Sequence, residues 1–274
     1  RIMLAQARYT EEHNAPMVGL IEKFNLGSGE YKLEIPKVAQ MDAEDLAEGQ
    51  DMIDSEDIDV STVTATTAEV GLKVIITDTL LRQNNEDVYK IIGRQMGDAM
   101  ARKKDTDIIA LFPSLNGGAE FGADGANLTL AFASALIAKA KAGKFGSDLF
   151  VVHHPNAIWN LATSVGNTLA TYPLPDAFNK PAVKDYYSGV KLSGVPFFED
   201  GNIAKIGTTD SGYGVIADKT AMGHLSASGR TEERERDASL RAYEVVVTED
   251  YAVFEVDDSK GAATRQEILD PATA

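Results

Sequence analysis

The chain has 274 residues, of which 44% are apolar and 25% are charged, and its formal net charge at pH 7 is −16. This composition is typical of a globular protein, because a chain of this length buries roughly three quarters of its unfolded surface. It contains no cysteine, which excludes disulfides, thiolate zinc sites, iron–sulfur clusters and cysteine nucleophiles. The longest apolar runs are strand-sized, so we expect a soluble protein without a membrane span.

The first residue is Arg1, and no leader with a charged and then an apolar region follows it. We therefore expect that the amino terminus results from processing or from truncation. Residues 1–27 mix polar and apolar stretches. They are expected to form an arm with one or two helical turns.

Two strands that bracket an acidic segment are expected to form a long β-hairpin at about residues 31–76. Tyr31, Leu33 and Ile35 alternate with charged residues, and Pro36 places this first strand at a sheet edge. The second strand is predicted from residue 58 to residue 67, where β-branched side chains dominate.

The segment between these strands is strongly acidic. Residues 38–72 contain no lysine or arginine. They contain ten acidic residues, equal to ten of the sixteen net negative charges: Asp42, Glu44, Asp45, Glu48, Asp51, Asp54, Glu56, Asp57, Asp59 and Glu69. Such a segment has too few apolar residues for a core of its own, so we expect a solvated, extended excursion.

A long helix is predicted between Asn84 and Pro113. Asn84 and Asn85 are suitable N-caps, and apolar residues recur after them at helical spacing. The helix would have about 26 residues and be about 40 Å long; we call it the spine helix. Its apolar series lapses from Arg102 to Asp107, so we expect its middle to be partly exposed.

Basic residues gather on the spine helix, namely Arg94, Arg102, Lys103 and Lys104. They could contact nucleic-acid phosphates weakly, or form ion pairs within and between subunits. The second interpretation is favoured, because five acids balance five bases between Glu86 and Asp107. A chain this acidic is also not typical of a sequence-specific nucleic-acid binder.

The middle of the chain mixes helices and strands. Residues 114–126 are rich in Gly and Asn and mark a boundary. Asn127 is the expected N-cap of an Ala-rich helix that ends at Gly143. A buried strand at 149–153, a helix beginning at Pro155, and strands at 190–198, 203–208 and 213–217 are expected next. Regular βαβ alternation is absent, which disfavours a doubly wound sheet.

Residues 239–256 alternate again and are expected to form a strand pair that turns at Glu249 and Asp250. The early hairpin supplies its only long partners, so we expect one sheet that joins the two ends of the chain beside the spine helix. The expected fold class is therefore α+β, with an insertion-like middle domain at about 114–225.

No catalytic or nucleotide-binding motif is present, neither a P-loop, nor G-x-G-x-x-G, nor G-x-S-x-G. His153 and His154 are adjacent, so on a strand they would face opposite ways and could not easily share one metal. The acidic run Asp54–Asp57 lacks the glycine pattern of a calcium loop. We expect no cofactor and no metal.

The order of these parts resembles a known family. The segments that support the resemblance are YKLEIPKV at 31–38, AEGQ at 47–50, GLKVIIT at 71–77, KDTD at 104–107 and LSGVPFF at 192–198. Together they are similar to the major capsid proteins of tailed bacteriophages, which have the HK97 fold.

The resemblance implies an HK97-like capsid fold with four parts: an amino-terminal arm (1–27), an extended β-hairpin loop (28–76), a peripheral domain with the spine helix (77–113 and 226–274) and a mixed α/β axial domain (114–225). It implies a non-enzymatic protein that self-assembles into pentamers and hexamers of an icosahedral shell around double-stranded DNA. The implied partners are further copies of the chain, a scaffolding segment or protein, the portal and non-specifically packaged DNA, with no membrane. The implied location is the virion, assembled in the host cytoplasm.

The resemblance also bears on the acidic loop. Its carboxylates are expected to contact neighbouring subunits; the residues concerned are Asp42, Glu44, Asp45, Glu48, Asp51, Asp54 and Asp57. Some members of the family form Lys–Asn cross-links through a lysine of this loop. Because residues 38–72 contain no lysine, no such cross-link is expected at the tip.

Two other classes of function remain as alternatives. An encapsulin-like compartment would share the fold but would package a cargo enzyme in place of DNA. A metal-dependent or carbohydrate-active enzyme would place acids such as Asp200 and Asp210 together in a cleft.

Overall fold

The computed structural model describes residues 16–27, 29–38, 60–79, 87–171 and 191–271. Its α-helices are α1 (Pro16–Leu20), α2, the spine helix (Asp87–Ile109), α3 (Leu130–Ala142) and α4 (Pro155–Thr171). Its strands are β1 (Glu22–Asn25), β2 (Lys32–Val38), β3 (Val60–Thr66), β4 (Ala68–Thr77), β5 (Phe121–Gly122), β6 (Leu149–His153), β7 (Lys191–Leu192), β8 (Val195–Glu199), β9 (Ser211–Asp218), β10 (Met222–Asp237), β11 (Ala242–Glu255) and β12 (Gly261–Glu267).

A six-stranded sheet in the order β5-β12-β9-β6-β8-β7 forms one half of the fold. Alternate residues of its strands point to opposite faces. On one face, Val151 and Ile216 pack under α3 and α4. On the other, Val152 and Val215 pack against α1 and the end of the spine helix. Both faces of the central strand are therefore buried, which explains its continuous apolar run.

A four-stranded sheet in the order β1-β10-β11-β4 forms the other half. β10 and β11 are long antiparallel strands, and β4 lies along β11 with Thr77 opposite Ala242. The spine helix crosses this sheet and buries Met96 against Ile76 and Val245. The expected sheet beside the spine helix, built from both ends of the chain, is thus confirmed.

The hairpin of β2 and β3 is also confirmed, with Lys32 opposite Thr66 and Val38 opposite Val60. One face of it packs on the four-stranded sheet of its own subunit. The apolar side chains in this cluster are Phe24, Leu33, Ile35, Val63, Ala65, Leu225 and Phe254. Lys37 adds an ion pair with Asp257. The inner face of the described hairpin is therefore anchored to the subunit that carries it.

The amino-terminal residues that are described are part of the core rather than a loose arm. Met17 and Ile21 are 0% and 1% exposed, and β1 pairs in parallel with the start of β10. The short apolar run from Met17 has its partners in the spine helix and the six-stranded sheet. Sequence periodicity could not reveal these partners, because they are distant along the chain.

Several predicted elements are corrected by the structure. Glu249 and Asp250 lie inside β11, and the chain turns earlier, between Asp237 and Ala242. Residues 203–208 form no strand; Lys205 makes only an isolated bridge. The predicted strand at 190–198 is two short strands, β7 and β8, joined by a two-residue turn. Ser193 and Gly194 both have positive φ, as a type I′ turn requires.

Two other corrections concern partners and caps. The sequence predicts that residues 226–274 accompany the spine helix, but β12 pairs with β9 and β5 in the six-stranded sheet. The N-cap of α3 is Thr129 in place of Asn127, because the Thr129 hydroxyl accepts a hydrogen bond from the Phe132 N–H.

We expect Leu225→Ala to destabilise the subunit by about 2–5 kcal/mol, because the truncation leaves a cavity under the hairpin base. Urea unfolding followed by circular dichroism measures the change in the free energy of unfolding. Leu240→Ala is the matched control: Leu240 is 55% exposed, and its truncation should change stability by no more than about 0.5 kcal/mol. Equal effects of the two variants would contradict the anchored hairpin.

Candidate functional site

The described ranges contain no group of three or more His, Asp or Glu side chains arranged to hold a metal ion. None of the helices in these ranges is long and apolar enough to cross a membrane. The features with functional potential are a sheet face, the outer face of the hairpin, and two buried charged clusters on the spine helix.

The four-stranded sheet has one face turned away from the spine helix. Residues opposite each other in an antiparallel pair lie on the same face, so the register assigns this face to odd positions of β4 and even positions of β11. Its proximal half, with Ala252 and Phe254, is covered by the hairpin base. The distal half is not covered by the described residues. Its members are Glu69, Gly71, Lys73, Ile75, Thr231, Glu233, Glu235, Glu244, Val246, Thr248 and Asp250.

This distal sheet face is acidic, with an apolar centre. Five of its side chains are carboxylates, and its one cation, Lys73, is already paired with Glu244. Ile75 lies in the middle and is 49% exposed. An exposed apolar centre with a charged rim is typical of a protein–protein contact surface.

The outer face of the hairpin carries threonines near its base and valines at its far end. Thr62, Thr64 and Thr66 lie outward on β3, and Val38 and Val60 face each other across the strands. These valines are 55% and 50% exposed. The hairpin thus presents an exposed apolar pair on the face opposite to the one that packs on its own subunit.

The seven acidic residues predicted to contact neighbours lie outside the described residues. They are Asp42, Glu44, Asp45, Glu48, Asp51, Asp54 and Asp57, and their role stays a prediction.

The four basic residues of the spine helix differ in their surroundings. Arg94 and Arg102 are exposed, and Lys103 pairs with Asp107 one turn later. The possible phosphate contact does not apply to Lys104, which is buried. The prediction of a partly exposed middle of the helix is confirmed at Arg102, Lys103 and Thr106, which are exposed, whereas Lys104 and Asp105 are buried.

Lys104 belongs to a buried ionic cluster between the spine helix and the β10–β11 pair. Its Nζ lies 2.7 Å from Glu249 Oε1 and 5.6 Å from the centre of the Tyr251 ring. Arg230 Nη2 lies 3.7 Å from Glu249 Oε2. Tyr251 donates a hydrogen bond to Asp107 Oδ2, and burial together with this carboxylate raises the pKa of Tyr251. The cluster fixes the helix against the sheet.

Asp105, the next residue, faces a different junction. Its Oδ1 accepts a hydrogen bond from the Met17 N–H at 3.3 Å, and its Oδ2 accepts one from Asn202 Nδ2 at 3.0 Å. Asp200 is 2% exposed and accepts the Asn202 N–H at 2.8 Å. Burial and the neighbouring Asp200 raise the pKa of Asp105 to about 7.

A cavity of about 400 Å³ opens beside this junction. It is lined by Pro16, Asp98, Arg102, Glu199, Asp200, Gly201 and Asn202. Asp210 is not among these residues; it pairs with Lys205 at the surface. The two acids that the enzyme alternative required are therefore not brought together in this cavity.

His153 is a buried strand-end residue. It is 1% exposed and accepts the His154 N–H at Nδ1, and burial lowers its pKa to about 3. A Cβ at Gly214 would lie 2.2 Å from the His153 ring, so the imidazole fills the space that this glycine leaves open. This geometry fits a structural role.

Sequence reasoning missed Asp105, Asp200 and Glu249 as buried groups. Asp105 stands in an all-polar stretch, and Glu249 in a pair that is typical of turns. Periodicity assigns such residues to the surface. Only their tertiary partners show that they are interior.

Comparison with known proteins gives a consistent result. A family model described as "Phage capsid protein" matches residues 60–264, which is most of the chain. None of the curated proteins compared with the chain matches it.

Solved structures share the fold at low sequence identity. The capsid of the cyanophage P-SCSP1u is 16% identical, with a TM-score of 0.64 over 92% of this chain and 87% of that chain. The capsid of a native GTA particle is 13% identical, with a TM-score of 0.66 over 92% and 90%. A virus-like particle from Pyrococcus furiosus is 9% identical, with a TM-score of 0.65 over 96% and 97%. The expected HK97-like capsid fold is confirmed.

We expect Lys104→Met to destabilise the subunit by about 3–5 kcal/mol, because it removes one partner of a buried ion pair and leaves the Glu249 carboxylate poorly compensated. Thermal or urea unfolding measures the loss. Lys103→Met, one residue earlier, is the matched control; its exposed pair should contribute no more than about 1 kcal/mol. A loss at Lys104 as small as that at Lys103 would show that the cluster does not hold the helix.

Proposed function

This chain belongs to the phage capsid protein family, and on that premise we propose that it self-assembles into pentamers and hexamers of an icosahedral shell that encloses double-stranded DNA. The observation that supports this proposal is that the described residues cover only part of the β-sheet surface. Among the described residues, the hairpin covers half of one sheet face, while the other half and the Val38–Val60 pair of the hairpin stay exposed.

The anchored hairpin is suited to reach a neighbour. Its strands of seven residues extend about 23 Å at the usual rise per residue. The apolar cluster and the Lys37–Asp257 ion pair hold its inner face along the described length, so Val38 and Val60 on its outer face are positioned before any neighbour arrives. A rigid element loses little conformational entropy when it binds, which favours contacts between subunits.

The distal sheet face is the surface that we assign to a neighbouring subunit. Sheets pack face to face about 10 Å apart when alternate side chains interdigitate. Ile75 and Val246 supply an apolar centre to the distal face, and Val38 with Val60 supply one to the hairpin. Contact between these surfaces of two copies would remove both from water.

Packaged DNA would be a non-specific partner of the shell. The net charge of −16 opposes tight binding to phosphates, and Arg94 and Arg102 are the exposed arginines of the spine helix. Contacts of this kind weaken strongly with salt. The proposal further includes a scaffolding segment or protein and a portal during assembly in the host cytoplasm.

A second candidate is a closed compartment that packages a protein cargo. The likeness to the Pyrococcus furiosus virus-like particle, over 96% of this chain, is the observation that favours it. The contents of purified particles discriminate between the two: nuclease-protected double-stranded DNA supports the virion, and a co-purifying protein cargo supports the compartment.

We expect the purified chain to form closed shells, or discrete pentamers and hexamers, in light scattering and electron microscopy. Val60→Asp should abolish or strongly reduce assembly, because it places a charge in the apolar contact, while the half-exposed position leaves subunit folding intact. Leu269→Asp, at an apolar side chain that is 45% exposed next to the other sheet, is the control and should still assemble. A wild-type chain that stays monomeric with scaffold present would contradict the proposed function.

We also expect no covalent cross-link through residues 38–72, because they lack the lysine that would supply the amine. Assembled particles should therefore dissociate to single chains on a denaturing gel. A ladder of covalent oligomers, with a linkage mapped to this segment by mass spectrometry, would contradict the expectation.

A further inference from the structure

Three separate parts of the chain meet at the Asp105 carboxyl group. Helix α1 supplies the Met17 N–H, the spine helix supplies Asp105 itself, and the loop after β8 supplies Asp200 and Asn202. Both carboxyl groups are interior, with Asp105 0% and Asp200 2% exposed. The contact to Met17 spans 88 positions in sequence, so it is a tertiary attachment of α1.

The two carboxyl groups share one partner, Asn202, whose side-chain amide donates to Asp105 Oδ2 and whose N–H donates to Asp200 Oδ1. Asp200 Oδ2 is buried and accepts no hydrogen bond from the described residues. A proton on Asp105 would supply the donor that this oxygen lacks, and burial together with the neighbouring Asp200 raises the pKa of Asp105. The hydrogen bonds that the pair accepts come from neutral donors, the N–H groups of Met17 and Asn202 and the Asn202 amide.

Charged groups surround the pair on every side. They are Asp98 and Arg102 on the spine helix, Glu199 at the end of β8, and His154 and Asp270 near the ends of β6 and β12. Burial lowers the pKa of His154, so its imidazole stays neutral near pH 7. Arg102 is solvent-exposed, and its charge is screened by water.

We propose that Asp105 and Asp200 form a proton-operated latch that holds helix α1 against the spine helix and the loop after β8. With one proton, Asp105 donates to Asp200 Oδ2 while still accepting the Met17 N–H. Without it, two buried carboxylates repel each other, and opening of the junction lets them reach water. The latch therefore controls whether α1 is fixed to the subunit.

The direction of the pH effect follows from the pKa of Asp105. The pKa is about 7 in the closed junction and returns to about 3.9 when the carboxyl is solvated. Between these values the closed state binds one more proton than the open state. The open fraction therefore rises as pH rises, by up to about tenfold per pH unit, and levels off above about pH 7.

Hydrogen–deuterium exchange of residues 16–21 in the full chain tests the latch. After correction for intrinsic exchange, protection should fall from pH 5 to pH 7 and then stay constant. Asp105→Asn should give protection that is high and independent of pH, because the amide can donate to Asp200 and its oxygen can still accept the Met17 N–H. Asp210→Asn removes one exposed carboxylate and should behave like the wild type.

Two results would overturn the latch: wild-type protection that does not change between pH 5 and pH 7, or an Asp105→Asn variant that keeps the wild-type slope. Should Asp105→Asn fail to fold, ¹³C-NMR titration of the aspartate carboxyls in the wild type decides the matter. One buried carboxyl titrating near neutrality is expected, and its absence would also overturn the latch. The measurement compares wild type and variant in the same assembly state, which light scattering checks, so either outcome leaves the proposed shell function intact.

Discussion

Two consecutive buried polar side chains, Lys104 and Asp105, fix the spine helix to different parts of the subunit. Lys104 pairs with Glu249 in the four-stranded sheet, whereas Asp105 contacts α1 and the loop after β8. Neighbouring residues of a helix point about 100° apart, so one turn of helix is fixed to two partners at once. Burying charge is costly unless it is paired and hydrogen-bonded, which leaves little freedom for the helix to slide or rotate.

This fixed helix determines which β surface remains available. Because the spine helix occupies one face of the four-stranded sheet, the hairpin can pack only on the other, and its base covers the half around Phe254. The distal half keeps Ile75 in contact with water. Under the proposed function, this part of the sheet, which the described residues leave uncovered, would be completed by contacts between copies of the chain.

Much of this architecture could be predicted from the sequence, and the failures have a common cause. The hairpin, the spine helix, the buried strand β6 and the helix at Pro155 follow from periodicity and capping, which are local signals. The burial of Lys104, Asp105 and Glu249 was not predicted, because sequence periodicity assigns a polar residue to the surface unless its distant partner is known. The pairing of β12 within the six-stranded sheet was not predicted for the same reason, because pairing between strands that are distant in the chain has no local sequence signal.

The edge of β10 and the distal face of the four-stranded sheet differ in their patterns of charged and apolar side chains. Among the described strands, β1 pairs with β10 only as far as Ser226, so the distal edge of β10 has no strand beside it. That edge alternates acidic and basic residues from Glu233 to Asp237, a pattern that opposes the addition of another strand. The adjacent face instead keeps an apolar centre at Ile75 and Val246. Association through the edge would tend to add strands without limit, whereas association through a face has a defined partner and register. The charge pattern therefore favours the face over the edge as the contact surface in the proposed shell.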